Sequence, residues 1–356
     1  MHIYIGSYTD GHPDRGIYVY QFNIRENSLQ EIQVIDDLVN PSFLKFNKNK
    51  TILFSVSESQ GDTPGKIASF RRDINSGKLS LISTVDSGGR NPVHLALNQE
   101  ETYLANSNYT DPGLTLYSVA KNGGLQLYTQ KITFDQPGSN VVKNRQKQAH
   151  IHSSNFTPDQ KYLLVQDLGR DRIYSLQFKP NYQKPLVLQP EKEFIAKPGA
   201  GPRHFTFHPD GNFAYGVAEL NGMVSQFNYK DGELEFIEDI LSYQQEQDLY
   251  RTADIHCSPD GKFLYVSNRG PKEDTVAIFA INQENGKLTI IGHIPTYGVH
   301  PRNFGISSSG DLLIVANQFS NNVTFFRRNA TTGLLQKLED EIQVQAPSCI
   351  EIVEID

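Results

Sequence analysis

The sequence predicts an all-β chain: a seven-bladed β-propeller with four antiparallel strands per blade, its ring closed by the C-terminal strand joining the N-terminal blade. Three observations predict it. One turn signal recurs at intervals of 51, 59, 51, 50 and 49 residues. Short apolar strands surround every recurrence, with almost no helical periodicity. The two ends of the chain carry complementary fractions of one further unit.

The repeat is read from six segments: Ser42–Glu58, Val93–Tyr109, His152–Leu168, Arg203–Glu219, Ala253–Arg269 and Arg302–Gln318. Each holds an apolar strand, a tight turn often spelled Pro-Asp-Gly, and a second apolar strand. Aligned on the turn glycine of Ser258-Pro259-Asp260-Gly261-Lys262, the equivalent positions are Lys50, Glu101, Gln160, Gly211, Gly261 and Gly310. The long interval carries its extra residues near Phe134–Gln148, a polar, basic loop.

Third strands alternate in character, as in Thr275–Ala280 and Gly16–Gln21, and fourth strands follow Gly-containing turns, as Leu288–Ile291 follows Asn285-Gly286-Lys287 and Leu79–Ser83 follows Ser76-Gly77-Lys78. Four short antiparallel strands per repeat describe propeller blades. A β-sandwich does not require one turn motif at a fixed interval. Pro347–Ile355 reads as a first strand with nothing after it, and Ile3–Ser7, Gly16–Asn23 and Leu29–Ile35 read as strands two to four. Joining them removes the open sheet edges of a linear array. Residues 1–356 are therefore expected to form one domain.

Composition bounds the function. The chain has 356 residues, 38% hydrophobic and 21% charged, with a net charge of −7. That balance argues against disorder and against a nucleic-acid surface, while leaving room for a local basic pocket. No apolar run reaches the length of a spanning helix, and no membrane association is expected. Met1–Gly6 reads directly as a strand, so no leader is expected and the protein is expected in the cytoplasm. Cys257 and Cys349, both in apolar strand patterns, are expected as small buried residues without a disulfide.

The repeat also places candidate chemistry. In an antiparallel hairpin the start of the first strand lies beside the end of the second. Strand starts Ser42, Val93, His152, Arg203, Ala253 and Arg302 should therefore meet strand ends Glu58, Tyr109, Leu168, Glu219, Arg269 and Gln318, with Tyr8, at one mouth of the channel. His204, Asp254 and His256 lie next to these. Arginine offers a planar fork of donors for carboxylate or phosphate, and histidine and glutamate exchange protons near neutral pH when tuned. One reading is an anion pocket with an acid/base group. The other is a wet channel mouth whose Arg–Glu pairs satisfy each other.

At these residues the sequence resembles the propeller-type 6-phosphogluconolactonase family, which includes carboxy-muconate lactonizing enzymes. The resemblance rests on Gly6-Ser7-Tyr8-Thr9, His152-Ser153-Ser154-Asn155, Gly201-Pro202-Arg203-His204-Phe205 with Glu219-Leu220-Asn221, Ala253-Asp254-Ile255-His256 with Ser267-Asn268-Arg269-Gly270, and Pro301-Arg302-Asn303-Phe304 with Ala316-Asn317-Gln318. Ala218 departs from it, standing where the family more often has Asn. The resemblance implies a metal-independent, cofactor-free lactone hydrolase of the pentose phosphate pathway. Its cleft set maps onto His152, Arg203, Glu219 and Arg269, with a weaker match at His150. It leaves open a lactonizing enzyme acting on an unsaturated dicarboxylate.

In such a site His152 or Glu219 would activate the water. Arg203 or Arg269 would stabilise the oxyanion, and Arg302 with His204 would hold a phosphate or carboxylate on the lactone. Asp254, His256, Gln318, Tyr8 and Glu58 complete the expected substrate contacts. No Gly-x-Ser-x-Gly elbow suggests a serine hydrolase. His150 and His152 share one side of a strand, but no carboxylate follows at metal spacing, so no metal is expected. A non-catalytic scaffold would instead present an apolar face. Phe325–Arg328 and Phe70–Arg72 read as blade edges ending in solvated charge.

Overall fold

The structure, a computed structural model, describes residues 1–356 except 11, 13, 14, 24–27, 60 and 356. All six aligned turn positions lie in the left-handed region: Lys50 (φ 55°), Glu101 (55°), Gln160 (57°), Gly211 (79°), Gly261 (69°) and Gly310 (79°). Glycine occupies three of them because it adopts this conformation without steric cost. The other three accept the strain where the hairpin needs the same backbone.

Seven antiparallel sheets result. Six follow the chain, each beginning with an innermost strand: Leu44–Phe46, Pro92–Leu97, Ile151–Phe156, Pro202–Phe207, Arg251–Cys257 and Pro301–Ile306. The seventh is composite, in the order Pro347–Val353, His2–Ser7, Ile17–Asn23, Ser28–Ile35. Its closing register runs from His2 opposite Val353 to Ser7 opposite Pro347. The expected ring closure is thus observed. One sheet gains a fifth short strand, Phe194–Ile195, and among the described residues the helical content is one 3-10 turn, Pro190–Lys192.

The core lies between blades. Second strands such as His2–Ser7, Ile52–Ser57 and Leu312–Asn317 are buried along their whole length, whereas a fourth strand such as Leu79–Asp86 is largely solvated. Side chains from facing sheets interlock: Ile3, Ile5, Ile350 and Ile352 of the closing blade pack with Leu312, Ile314 and Phe325 of its neighbour. Burial of this kind contributes about 1.5–3 kcal/mol per large aliphatic or aromatic side chain.

Polar staples add register between blades. Tyr4, Tyr215 and Tyr265 each donate a hydroxyl hydrogen bond at 2.7 Å to the carbonyl of Gly77, Gly286 and Gly333 in the next blade. Two of the expected solvated charges join these staples instead. Arg71 and Arg327 are exposed, but Arg72 and Arg328 are buried, donating to Tyr4 Oη (2.7 Å) and Tyr265 Oη (2.9 Å). Strand alternation sends one arginine of each pair to solvent and the other under the adjacent blade. Both cysteines are free; Cys349 is buried and Cys257 half-buried.

Two backbone devices shape the channel mouth. The innermost strands slip register between Pro92 and His94, Ile151 and Ser153, Pro202 and Phe205, Thr252 and Ile255, and Pro301 and Asn303. The unpaired residues within these bulges are Val93, His152, Arg203-His204, Ala253-Asp254 and Arg302. A bulge re-aims side chains that a regular ladder would bury in the blade. The second device precedes it. Asn40, Asn91, Gly201, His300 and Ala346 have positive φ (44°, 54°, 66°, 65° and 43°), and a proline follows each. Their carbonyls accept the N–H of Glu58, Tyr109, Glu219, Gln318 and Tyr8 at 2.8–3.2 Å. This lead-in turn ties each strand-end residue to the rim.

Candidate active site

Glu219 stands at the centre of the rim. Its Oε2 accepts from Arg203 Nε at 2.9 Å and lies 3.4 Å from Arg269 Nη2, and its Oε1 accepts from Arg145 Nη2 at 2.7 Å. Arg203, Arg269 and Glu219 are all buried. Burial alone would push the Glu219 carboxyl up, but Arg269, Arg145 and Arg203 outweigh it and hold it well below the usual carboxylate range. Burial lowers Arg203 to about 10 and Arg269 to about 9, which leaves both cationic at neutral pH.

Arg269 is fixed by two further hydrogen bonds. Its Nε donates to the Arg251 carbonyl at 2.8 Å, and its Nη1 donates to His300 Nε2 at 3.0 Å. Burial, Arg269 and Arg302 push His300 down to about 2, so it is neutral. Phe319, 62% exposed, stacks on that imidazole with centroids 3.9 Å apart. Opposite in kind, Tyr109 stacks on His150 at 4.2 Å, and His150 Nδ1 donates to the Tyr109 carbonyl at 2.9 Å.

A second carboxylate sits beside the first group. Glu58 accepts from Tyr8 Oη at 2.8 Å, from Asn91 Nδ2 at 3.0 Å and from Ser42 Oγ. Arg302 donates to the same Tyr8 hydroxyl at 2.7 Å, its guanidinium 5.0 Å from the phenol centroid. Among the described residues no carboxylate oxygen lies within 4.0 Å of Arg302. The rim therefore holds four guanidiniums against two carboxylates.

His152 shares a wall with these groups. Its ring is buried, edge-on to Tyr109 at 5.5 Å, and its Nδ1 has no hydrogen-bond partner among the described residues. Burial, then Arg203, His204 and Arg302, lower it well below the ordinary imidazole value, so it is a neutral base. Gln318 Oε1 is likewise buried without a partner.

The structure thus brings together His152, Arg203, Glu219, Arg269, Arg302, Tyr8, Glu58 and Gln318. It does not bring Asp254 and His256 to this mouth, and His204 lies just behind it, bordering a small void with His152, Arg203 and Arg302. A strand advances about 3.3 Å per residue, so residues beyond a strand start lie deeper. His204, Asp254 and His256 line a separate cavity of about 620 Å³ on the other side of the channel. There Asp254 accepts from His204 Nδ1 (2.7 Å), His256 Nε2 (2.9 Å) and Asn303 Nδ2 (2.5 Å). Arg145 and His300 join the rim without having been expected there. Arg145 comes from the basic insertion, where no repeat position marks it. His300 had a signal, because it precedes Arg302 by two residues as Gly201 precedes Arg203. Among the described residues no group of three His, Cys, Asp or Glu is placed to hold a metal ion.

Residues 2–352 match the family described as Lactonase, 7-bladed beta-propeller. The chain is similar to the 6-phosphogluconolactonase of Formosa agariphila, 48% identical over 98% of this chain and 99% of that one. It is also similar to the 6-phosphogluconolactonase of Bacillus subtilis, 31% identical over 98% and 97%. Among solved structures, the periplasmic gluconolactonase of Pseudomonas aeruginosa superposes with a TM-score of 0.93 at 31% identity, covering 100% of this chain and 99% of that chain.

Proposed function

Because the chain belongs to the lactonase family of seven-bladed β-propellers, we propose that it hydrolyses the ring ester of 6-phosphogluconolactone to 6-phosphogluconate. The observation that carries the anionic substrate is Arg302, a partly buried guanidinium whose polar partner is a neutral phenol. A cation so placed gains most from an anion that completes its hydrogen bonds. The substrate phosphate fits that role, and the surplus of positive charge around it favours entry of a dianion.

The reaction adds water to the carbonyl and expels the ring oxygen. His152 is the base that takes the water proton, since burial and its cationic neighbours keep the imidazole neutral. Phosphate binding offsets Arg203 and Arg302, the charges that depress His152, and so strengthens the base when substrate is present. Glu219, held anionic by three guanidiniums, is a weak base and serves to anchor Arg203 and Arg269. Those two remain cationic and fixed, ready for the oxyanion that develops in the transition state. His152 then returns its proton to the departing alkoxide.

This activity places the protein in the pentose phosphate pathway. A phosphorylated substrate and two unpaired cysteines favour the cytoplasm, which fractionation of tagged protein checks. The test of substrate is coupled hydrolysis of freshly made 6-phosphogluconolactone against its spontaneous opening. Turnover well above that background supports the reading, and a rate equal to background overturns it.

A further inference from the structure

Hydrolysis of a lactone at neutral pH yields a hydroxy-carboxylate and one net proton. The bonds balance as follows: water gives hydroxide to the acyl carbon and a proton to the ring oxygen, and the product acid then ionises. That last proton has to leave a mouth lined by four guanidiniums, where the potential opposes a further cation. The channel offers a route away from them.

His152 and His204 face each other edge to face, with centroids 5.4 Å apart. Between them lies a void of about 10 Å³, also bordered by Arg203, Arg302 and Asn303. That volume holds about one water, and polar groups are present to bind it. His152 Nδ1, buried and without a partner among the described residues, is the ring atom such a water would bind. His204 donates its Nδ1 proton to Asp254 at 2.7 Å, which fixes the neutral tautomer and leaves Nε2 to accept. His204, Phe43 and Asn303 border both the void and the 620 Å³ cavity beyond.

We infer that the channel is a proton exit: once the alkoxide is protonated, His152 takes the proton of the product acid on its substrate-facing nitrogen and releases one from Nδ1 through one water to His204, which, oriented and charge-stabilised by Asp254, delivers it to the cavity beyond. The inference rests on the lactonase reading above. The titratable groups facing His204 are His94 (5.4 Å between centroids), His152, Arg203, Asp254 and, beyond Asp254, His256. Arg203 opposes a charge on His204, whereas Asp254 supports it, so the imidazolium is transient. Asp254 is in turn locked by His256, Asn303 and the Phe304 N–H at 3.3 Å. His204 and Asp254 are thus positioning and relay residues that do not touch substrate.

The test is His204→Gln, with His256→Gln as the milder variant because the His256 side chain is 43% exposed and tolerates change. A relay step supplies part of the usual acid–base contribution, so His204→Gln should lower kcat roughly tenfold while KM stays within about twofold. Added imidazole, small enough to enter the opposite cavity, should restore most of that loss. The kcat of the variant should rise with buffer concentration and that of the wild type should not. His256→Gln should show a smaller loss with the same buffer dependence. Unchanged kcat in both variants, or a loss that imidazole does not relieve, overturns the proton exit. The comparison is run on 6-phosphogluconolactone and on D-glucono-δ-lactone. A wild type active on the second alone defeats the phosphorylated substrate and leaves the relay test intact, and activity on neither defeats both.

Discussion

Arg203 and Glu219, sixteen residues apart, form a 2.9 Å ion pair in which both side chains are buried. The bulge delivers the arginine and the lead-in turn at Gly201 delivers the glutamate, so one blade supplies both halves. One further blade contributes Arg269 and the basic insertion contributes Arg145 to the same carboxylate. Removing that carboxylate leaves three guanidiniums facing one another.

Glu219→Gln keeps the shape and deletes the charge. Breaking a buried ion pair costs on the order of 3–5 kcal/mol. We expect a clear drop in urea midpoint and a loss of kcat of about 100-fold or more, comparable to losing a fixed oxyanion donor. Circular dichroism melts and single-turnover assays check both.

Arg302→Gln should act on binding. It removes the guanidinium and retains a donor for Tyr8. KM for a phosphorylated lactone should rise on the order of tenfold to a hundredfold, reflecting a charge-assisted contact of about 1.5–3 kcal/mol. KM for an unphosphorylated lactone should change little. Equal effects on both substrates would remove the phosphate from Arg302.

His152→Gln should lower kcat by about two to four orders of magnitude with little change in KM. The melting temperature should change little, because the ring is neutral and its Nδ1 has no hydrogen-bond partner among the described residues. Wild-type turnover in this variant would exclude His152 as the base.

Acid should destabilise the fold earlier than carboxylate titration alone would. His94, His152, His204 and His300 are buried with values below the ordinary 6.5, His204 at about 4 and His300 at about 2. Below pH 6.5 the unfolded chain binds protons that the folded chain refuses. Stability is therefore constant above about pH 6.5 and falls as pH drops toward 4, by on the order of 1 kcal/mol per pH unit for each imidazole. The Glu219 contribution persists to lower pH, since its folded value lies below its unfolded one. Urea melts at pH 7.5, 6.5 and 5.5 check the onset, and a flat profile to pH 5 contradicts it.

Deleting residues 347–356 should cost stability and activity together. It removes Ile350 and Ile352 from a core cluster and opens the edge of His2–Ser7. It also leaves Ala346, whose carbonyl accepts the Tyr8 N–H at 3.0 Å beside Arg302, as a chain end with no strand to anchor it. An active truncation of equal melting temperature would show that closure is dispensable.

Much of this was legible in the residues. The aligned turn positions marked six equivalent hairpins, which the structure shows to share a left-handed residue, and strand starts and ends predicted the mouth. What failed had physical causes. Periodicity gives a face but not a depth, so Asp254 and His256 read as rim residues although each residue along a strand descends about 3.3 Å, and His204 stands between the rim and the larger cavity. Arg145 lies in an insertion outside the repeat and reaches Glu219 across 74 residues. Arg72 and Arg328 read as solvated because alternation at a strand end does not reveal the neighbouring blade that covers one face.

The lead-in turn has a consequence for how such a mouth changes over time. Its hydrogen bond runs from backbone to backbone, so it holds the strand-end position whatever side chain stands there. Glu58, Tyr109, Glu219, Gln318 and Tyr8 occupy five equivalent backbone sockets, although the side chains of Tyr8 and Glu58 meet at 2.8 Å. Exchanging one leaves the others in place, and specificity is rewritten residue by residue without rebuilding a loop.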